Sequence, residues 1–192
     1  MKIGLYFGSF NPIHVGHLII ASFIANNTEI EQVWLVVTPQ NPFKTSNSLL
    51  NEYHRLHLVQ LAVEDDPLLK WSDIEFKLPK PSYTIDTLTY LSEKYKQHEF
   101  SIVIGSDSYN NLHKWKNADV IVRDFSIYVY QRPGFSTKTV PQNNISFLNA
   151  PFLDISATAI RESIKKGKSI RYLVPDKVLK EIERNNYYKI SL

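Results

Sequence analysis

The sequence predicts a doubly wound α/β fold, in which a parallel sheet carries helices on both faces. Two observations predict it. Short apolar runs rich in β-branched and aromatic residues alternate along the chain with longer segments of helical periodicity. The 192 residues, of which 43% are hydrophobic and 21% charged, suit one globular domain and are too few for two ordinary ones. We therefore expect a single domain over residues 1–192, with a C-terminal helical portion from about residue 156.

Strands are expected where a short apolar run ends on Gly, Pro or a polar turn. Four runs fit this description, and a fifth follows an aperiodic segment, 134–144, that is interpreted as a surface loop. In chain order the expected strands are 3–7, 33–38, 100–105, 126–131 and 145–148. The helical patterns between them predict helices at 14–27, 51–66, 84–97 and 107–116.

Two more helices are expected after the last strand. Ser156 suits the N-cap of the first of them, and Gly167 is placed to end it. Pro175 suits the first position of the second, which would run to about Asn185.

Composition excludes several classes of site. The chain has no cysteine, so disulfides, zinc–thiolate sites and thiol catalysis are excluded. No apolar stretch reaches the roughly 18 residues that span a bilayer, and the N-terminus lacks a secretory apolar region. We expect a cytoplasmic protein without a membrane partner. The net charge of +3 suits small anions as well as nucleic acid, but no Lys/Arg run resembles a nucleic-acid-binding arm, and no such partner is expected.

The loop after the first strand has the composition of a phosphate site. Ligands of open parallel sheets bind beyond the carboxyl ends of the strands. Gly8 and Ser9 let the backbone approach a ligand, and Gly16 keeps the first helical turn thin. His14 and His17 share one helical face, from which two imidazoles could donate charge-assisted hydrogen bonds to phosphate oxygens. The alternative is that His14 caps the helix and His17 is a hydrogen-bonded core residue.

A second helix N-terminus offers similar chemistry. Ser156 or Thr158 can cap it, and the free amides there favour an anion. Arg161 lies three residues beyond Thr158 on the same side of the helix. The alternative is a capped surface helix with an exposed arginine.

These two segments carry a resemblance to a known family. Residues 8–17, GSFNPIHVGH, resemble the GxFxPxHxGH motif of the nucleotidyltransferase superfamily, which implies a Rossmann-like fold. Residues 155–161, ISATAIR, resemble the ISSTxIR motif of the nicotinate- and nicotinamide-nucleotide adenylyltransferases, with Ala157 where a second serine is usual. One side-chain phosphate donor is therefore missing there. The resemblance implies catalysis by His14, His17 and Arg161, and ATP contacts from Gly8, Ser9, Phe10, Gly16, Ile155, Ser156 and Thr158.

Four further segments match the same family. Residues 81–88 resemble PSYTxDTL, residues 105–115 resemble GxDxxxxLxxW, residues 39–44 resemble PxxxPxK, and residues 132–134 resemble an RPG turn. The resemblance implies acceptor contacts from Tyr83, Thr84, Trp115 and Arg132, and ATP contacts from Lys44, Gly105 and Asp107. Core packing of Tyr83 and Trp115 and a solvated Lys44 are the alternatives. Arg55 also matches a family arginine, with a surface ion pair as its alternative.

By this resemblance the chain transfers AMP from ATP to nicotinate mononucleotide and releases deamido-NAD and pyrophosphate, with Mg²⁺ accompanying ATP. Adenylyl or cytidylyl transfer to another acceptor (phosphopantetheine or nicotinamide mononucleotide) is one alternative. A non-catalytic adenine-nucleotide sensor is the other, because of Ala157. His54 and His57 share a helical face but have no third ligand at suitable spacing, so no protein-bound metal is expected. Association into a homo-oligomer is left open.

Overall fold

A computed structural model describes residues 1–40, 42, 49–135, 144–151 and 153–189. The described strands form one six-stranded sheet in which every neighbouring pair is parallel. The strands are β1 (Lys2–Gly8), β2 (Gln32–Val37), β3 (Leu69–Ser72), β4 (Glu99–Gly105), β5 (Ser126–Tyr130) and β6 (Ile145–Leu148). The α-helices are α1 (Val15–Asn27), α2 (Glu52–Val63), α3 (Thr84–Lys94), α4 (Ser106–Tyr109), α5 (Ala118–Asp124), α6 (Ala157–Lys165) and α7 (Asp176–Arg184).

The strand order β3-β2-β1-β4-β5-β6 indicates where a ligand site is expected. The chain runs outward from β1 to one edge of the sheet and then from β4 to the other, so the connections diverge between β1 and β4. In such sheets the crevice at this point, beyond the carboxyl ends of the strands, is where ligands bind. Gly8 ends β1 and Gly105 ends β4, so both expected ATP loops leave the sheet at this crevice.

Helices cover both faces of the sheet, because successive side chains of buried parallel strands point to opposite faces. On β1, Leu5 belongs to a core beneath α3 and α5, whereas Tyr6 belongs to a core beneath α1, α2, α6 and α7. The expected doubly wound α/β fold is confirmed. None of the helices in the described ranges is long and apolar enough to span a membrane; the expected cytoplasmic location stays a prediction.

Three expectations about elements were wrong. Strand β3 was missed, because on this edge strand Leu69 alone is buried and Trp71 is 44% exposed, which leaves no apolar run. The helix expected at 107–116 is instead α4 followed by a 3₁₀ turn at Leu112–Lys114, and α5 was not foreseen. Asn117 adopts a left-handed conformation (φ 51°), which separates α5 from the turn before it.

Helix α6 begins as expected, whereas α7 begins one residue later than expected, with Pro175 as its N-cap and not as its first helical residue. The Ser156 hydroxyl accepts a hydrogen bond from the Ala159 amide at 3.2 Å and caps α6. Gly167 has a φ of 65°, in the left-handed region that favours glycine after a helix. Most of the loop expected at 134–144 lies outside the described residues.

Candidate active site

A cavity of about 380 Å³ opens at the carboxyl ends of β1 and β4. Its walls come from the loop after β1, the start of α3, the segment after β4, the end of β5 and the start of α6. All the sequence-predicted site residues but one line it: Gly8, Ser9, Phe10, His14, Gly16, His17, Tyr83, Thr84, Gly105, Asp107, Trp115, Arg132, Ile155, Ser156, Thr158 and Arg161. Lys44 lies outside the described residues. The individual roles of these residues stay predictions.

His14 and His17 form a stacked pair at the N-terminus of α1. Their ring centroids are 3.7 Å apart, and the His14 backbone amide donates to Nδ1 of His17 at 3.3 Å. Because Nδ1 accepts this bond, a neutral His17 ring carries its proton on Nε2. His14 is also the N-cap residue of α1, as the capping alternative predicted, whereas its contact with phosphate stays a prediction.

The His14 ring is uncharged at neutral pH. Burial, assisted by the positive charge of Arg132, lowers the pKa of His14 to about 4. The ring is therefore neutral near pH 7, and any hydrogen bond it donates to a phosphate takes its charge assistance from the phosphate alone; that His14 donates in this way stays a prediction. A phosphate oxygen within reach would raise this pKa again.

Two glycines leave room for the rings of the first loop. A Cβ on Gly8 would lie 2.9 Å from the ring of Phe10, which folds back over it. A Cβ on Gly16 would lie 3.0 Å from Nδ1 of His14. The buried Phe10 ring meets the His17 ring edge-on, at a centroid distance of 5.0 Å. The side chain of Phe10 therefore packs against His17. Because this side chain is buried, any contact of Phe10 with ATP would come from its backbone.

Arg161 connects the loop after β1 to the start of α6. Its Nη1 donates to the Asn11 carbonyl at 2.8 Å, and its Nη2 donates to the Thr158 hydroxyl at 3.2 Å. The guanidinium is half-buried rather than exposed, so the alternative of an exposed surface arginine is wrong. Residues 150 positions apart in the chain thus form one wall of the cavity.

On the opposite wall Asp107 and Arg132 form an ion pair. Nη1 of Arg132 lies 2.9 Å from Oδ2 of Asp107, and the Arg132 amide donates to the Ser106 hydroxyl at 2.9 Å. Oδ1 of Asp107 is buried and has no hydrogen-bond partner among the described residues. The sequence assigned these two side chains to different substrates, whereas the structure places them in contact.

Two aromatic residues form part of the cavity wall, and their contact with the acceptor stays a prediction. Tyr83 and Trp115 are both half-buried: each packs against the core beneath α3 and α5, and each lines the cavity. Lys116, which the sequence did not single out, holds its ammonium 4.9 Å from the centroid of the Tyr83 ring. The same ammonium pairs with Asp86 at 2.8 Å. The N-cap of α3 is Tyr83 and not, as expected, Thr84.

Two ionisable residues at or behind the cavity are buried: Arg55, which the sequence singled out but did not predict to be buried, and Glu75, which it did not single out. Arg55 is fully buried, and no described carboxylate forms an ion pair with it, so the surface ion pair given as its alternative is wrong.

Glu75, 2% exposed, lines the cavity near Tyr83 and accepts a hydrogen bond from the Thr87 hydroxyl at 3.1 Å. Burial raises its pKa to about 7, although neighbouring hydroxyls oppose the shift. The sequence offered one sign that Glu75 is buried: its carboxylate stands between the apolar residues Ile74 and Phe76.

We expect Glu75→Gln to remove a pH dependence of folding stability. The pKa of Glu75 is about 7 in the folded protein and 4.5 ordinarily, so the folded state binds the proton more tightly than the unfolded chain. Its contribution to stability is complete below about pH 4.5 and is lost as the pH rises through about 7. At about 1.4 kcal/mol per pKa unit, the complete loss is on the order of 3–4 kcal/mol. Urea denaturation between about pH 5 and 8 measures it.

The matched control is Glu93→Gln, on the exposed side of α3. Comparing the free energies of unfolding of the three proteins isolates the contribution of Glu75, because all other ionisable residues except Glu93 are the same in them. Equal pH dependence in the wild type and Glu75→Gln would contradict the raised pKa.

Known proteins resemble this chain along its length. A family model described as cytidylyltransferase-like matches residues 5–163. A Flavobacterium psychrophilum protein named "Probable nicotinate-nucleotide adenylyltransferase" is 53% identical over 192 residues, covering 98% of this chain and 100% of the relative. A Cytophaga hutchinsonii protein of the same name is 52% identical over 189 residues, covering 98% of each. The nicotinic acid mononucleotide adenylyltransferase of Plasmodium falciparum, solved in complex with NaAD, matches with a TM-score of 0.80 at 20% identity and covers 97% of each chain.

Proposed function

The chain belongs to the cytidylyltransferase-like family and, within it, to the nicotinate-nucleotide adenylyltransferases, and we propose that it transfers the AMP of ATP to nicotinate mononucleotide. The products are deamido-NAD and pyrophosphate, which makes the reaction a step of NAD biosynthesis. One observation carries the proposal. A single cavity brings the stacked His14–His17 pair and the Ser156–Arg161 helix start together with the aromatic wall of Tyr83 and Trp115.

The acceptor needs no general base. The 5′-phosphate of a mononucleotide has a second pKa of about 6, so it is largely dianionic at pH 7. One of its oxygens forms a bond to the α-phosphorus of ATP while the bond from that phosphorus to the bridging oxygen breaks, and pyrophosphate departs with the electron pair. The barrier lies in bringing two anions together and in stabilising the charge that develops. No covalent enzyme intermediate is needed.

The residues around the cavity suit this task of positioning and charge stabilisation. At the start of α1 the His14 amide donates to the His17 ring and the Val15 amide donates to the Leu173 carbonyl. The Gly16 amide and the ring N–H of His17 would therefore be the donors to phosphate oxygens. The start of α6, capped by Ser156, offers a second group of amides. Arg161 adds positive charge between the two helix starts. Ala157 removes one hydroxyl from this set, but the helix amides beside it remain.

We propose that Mg²⁺ enters with ATP as its complex. The described residues contain no group of three or more His, Asp or Glu side chains that could hold a metal ion, so phosphates and water would supply most of its ligands. Oδ1 of Asp107, buried and without a partner in the described structure, is an oxygen that fits a water of the hydrated ion. When bound, the ion neutralises charge on the phosphates of ATP.

The aromatic wall supports a flat pyridine acceptor. Stacking of a ring on an aromatic side chain contributes about 1–3 kcal/mol, on the scale known for nucleic-acid bases. The ammonium of Lys116 above Tyr83 places positive charge at this wall, which favours the carboxylate of nicotinate over the neutral amide of nicotinamide. Its ion pair with Asp86 reduces that preference without abolishing it.

Pyrophosphate release from ATP and Mg²⁺ tests the proposal, with one acceptor present at a time. The acceptors are nicotinate mononucleotide, nicotinamide mononucleotide and phosphopantetheine. We expect turnover to be fastest with nicotinate mononucleotide. Turnover with phosphopantetheine alone would overturn the acceptor assignment and leave the reaction type intact. No turnover with any acceptor, from a folded protein that still binds ATP, would favour a nucleotide sensor and direct attention to Ala157.

A further inference from the structure

We propose that Arg55 is a positioning residue for adenylyl transfer, whose guanidinium fixes the phosphate loop after β1 against the chain on both sides of residues 41–48. This inference rests on the proposed function and adds a residue to its machinery. Arg55 lies on α2, behind the residues that line the cavity, so it acts through other groups rather than on substrate.

Four backbone carbonyls from three separate segments accept hydrogen bonds from this one side chain. Nη1 donates to the carbonyl of Ser9 at 2.6 Å and to that of Thr38 at 2.8 Å. Nη2 donates to the Pro39 carbonyl at 3.1 Å, and Nε donates to the Leu50 carbonyl at 2.8 Å. The guanidinium therefore joins the first phosphate loop, the end of β2 and the residues before α2.

The chemistry of arginine suits this arrangement. Its planar guanidinium carries five donors in fixed directions, whereas lysine is a point charge on a flexible stem. Arg55 is fully buried, and no described carboxylate pairs with its charge. Burying a cation whose described hydrogen-bond partners are all neutral carbonyls is costly. The benefit is the common orientation that one rigid group imposes on three segments.

A short series of contacts leads from Arg55 to His17. Ser9, held by Arg55, precedes Phe10, whose buried ring packs edge-on against the His17 ring. On the other side of Phe10, the carbonyl of Asn11 accepts a hydrogen bond from Arg161. The loop therefore accepts a hydrogen bond from one arginine before Phe10 and from another arginine after it. A displacement of the Ser9 carbonyl would move Phe10 and release the orientation of the His17 ring.

The side chain of Asn11 also connects the loop after β1 to the residues before α2. Its Oδ1 accepts a hydrogen bond from the Leu50 amide at 3.1 Å, and the Leu50 carbonyl in turn accepts from Arg55. The phosphate loop and the start of α2 are therefore connected both through Arg55 and directly.

Arg55→Lys tests the proposal, because it keeps the positive charge and removes the rigid fork. Corrected for the folded fraction, we expect kcat for pyrophosphate release to fall at least about 10-fold, as small misplacements of reacting groups do. The KM values for ATP and nicotinate mononucleotide should change less than about threefold, because the substrate contacts themselves remain. The matched control is Val63→Ala, which removes buried methyl groups from the end of the same helix, about two turns beyond Arg55, and takes part in none of the hydrogen bonds of Arg55.

A second readout does not depend on turnover. Nitrogen-15 NMR of the histidine rings reports the tautomer of His17, which should carry its proton on Nε2 in the wild type. Arg55→Lys should shift the His17 ring signals and leave those of His98, at the opposite end of the sheet before β4, unchanged. A wild type without turnover would contradict the proposed function, and these shifts would still decide the role of Arg55.

Two outcomes would overturn the positioning role. One is a folded Arg55→Lys whose kcat and His17 signals match those of the wild type. The other is failure of both Arg55→Lys and Arg55→Gln to fold even at low temperature, which would make Arg55 a residue of the fold alone.

Discussion

Replacing His17 by alanine should lower kcat for pyrophosphate release by about 100-fold or more, the scale of losing one preorganised transition-state donor. The ring stands at the start of α1, stacked on His14, and its Nδ1 is committed to a backbone amide. This bond leaves Nε2 as the protonated nitrogen of a neutral ring, so the mutation removes a donor of defined direction. Steady-state kinetics with ATP and nicotinate mononucleotide, with thermal unfolding alongside, measures the effect.

The control for His17→Ala is His57→Ala. His57 is an exposed histidine on α2 that pairs with Glu181 far from the cavity, so its loss should leave kcat unchanged. A fall in kcat of less than about fivefold in folded His17→Ala protein would remove His17 from the mechanism. Retention of substrate KM with reduced kcat would indicate that the interaction is made in the transition state.

Gly105→Ala should reduce kcat/KM by about 10- to 100-fold, because the added methyl group displaces the ion pair across the cavity wall. A Cβ at this position would lie 2.5 Å from Oδ1 of Asp107 and 2.6 Å from Cδ of Arg132. Atoms cannot approach that closely, so one or both side chains must leave their positions. Kinetics with each substrate varied in turn would show whether ATP or the acceptor depends on this wall.

Gly167→Ala is the matched glycine control. Gly167 has a φ of 65° and no neighbouring atom within 4 Å of an added Cβ, so the substitution strains the backbone at the far end of α6 without displacing a side chain. We expect it to lower stability by about 1 kcal/mol and to leave kcat/KM unchanged. If Gly105→Ala behaves in the same way, the Asp107–Arg132 pair is not part of the substrate site.

The sequence predicted the fold class because alternation of apolar runs and helical segments is a local property. It failed where burial did not produce a local pattern. The edge strand β3 buries one apolar side chain, Leu69, and so lacks the run by which the other strands were identified. The helix expected at 107–116 was wrong because α4 ends at Tyr109 and a separate 3₁₀ turn, Leu112–Lys114, follows it.

The sequence by itself also determined where the site lies. Its characteristic residues follow the strands, and the carboxyl ends of parallel strands meet at one edge of the sheet, so Gly8, His17, Asp107 and Arg132 had to come together. The family motifs added the C-terminal segment, and Ser156 and Arg161 do lie on the same cavity.

Only the tertiary structure decided how these groups are charged and held. His14 is neutral because burial lowers its pKa to about 4, and Glu75 retains a proton to near neutral pH because burial raises its pKa to about 7. Arg55 serves three segments because folding brings the Ser9, Thr38, Pro39 and Leu50 carbonyls around one guanidinium. The type and spacing of residues can be read from the sequence. The desolvation of a side chain and its hydrogen-bonding partners depend on segments that are distant in sequence, and those segments come together only when the chain folds.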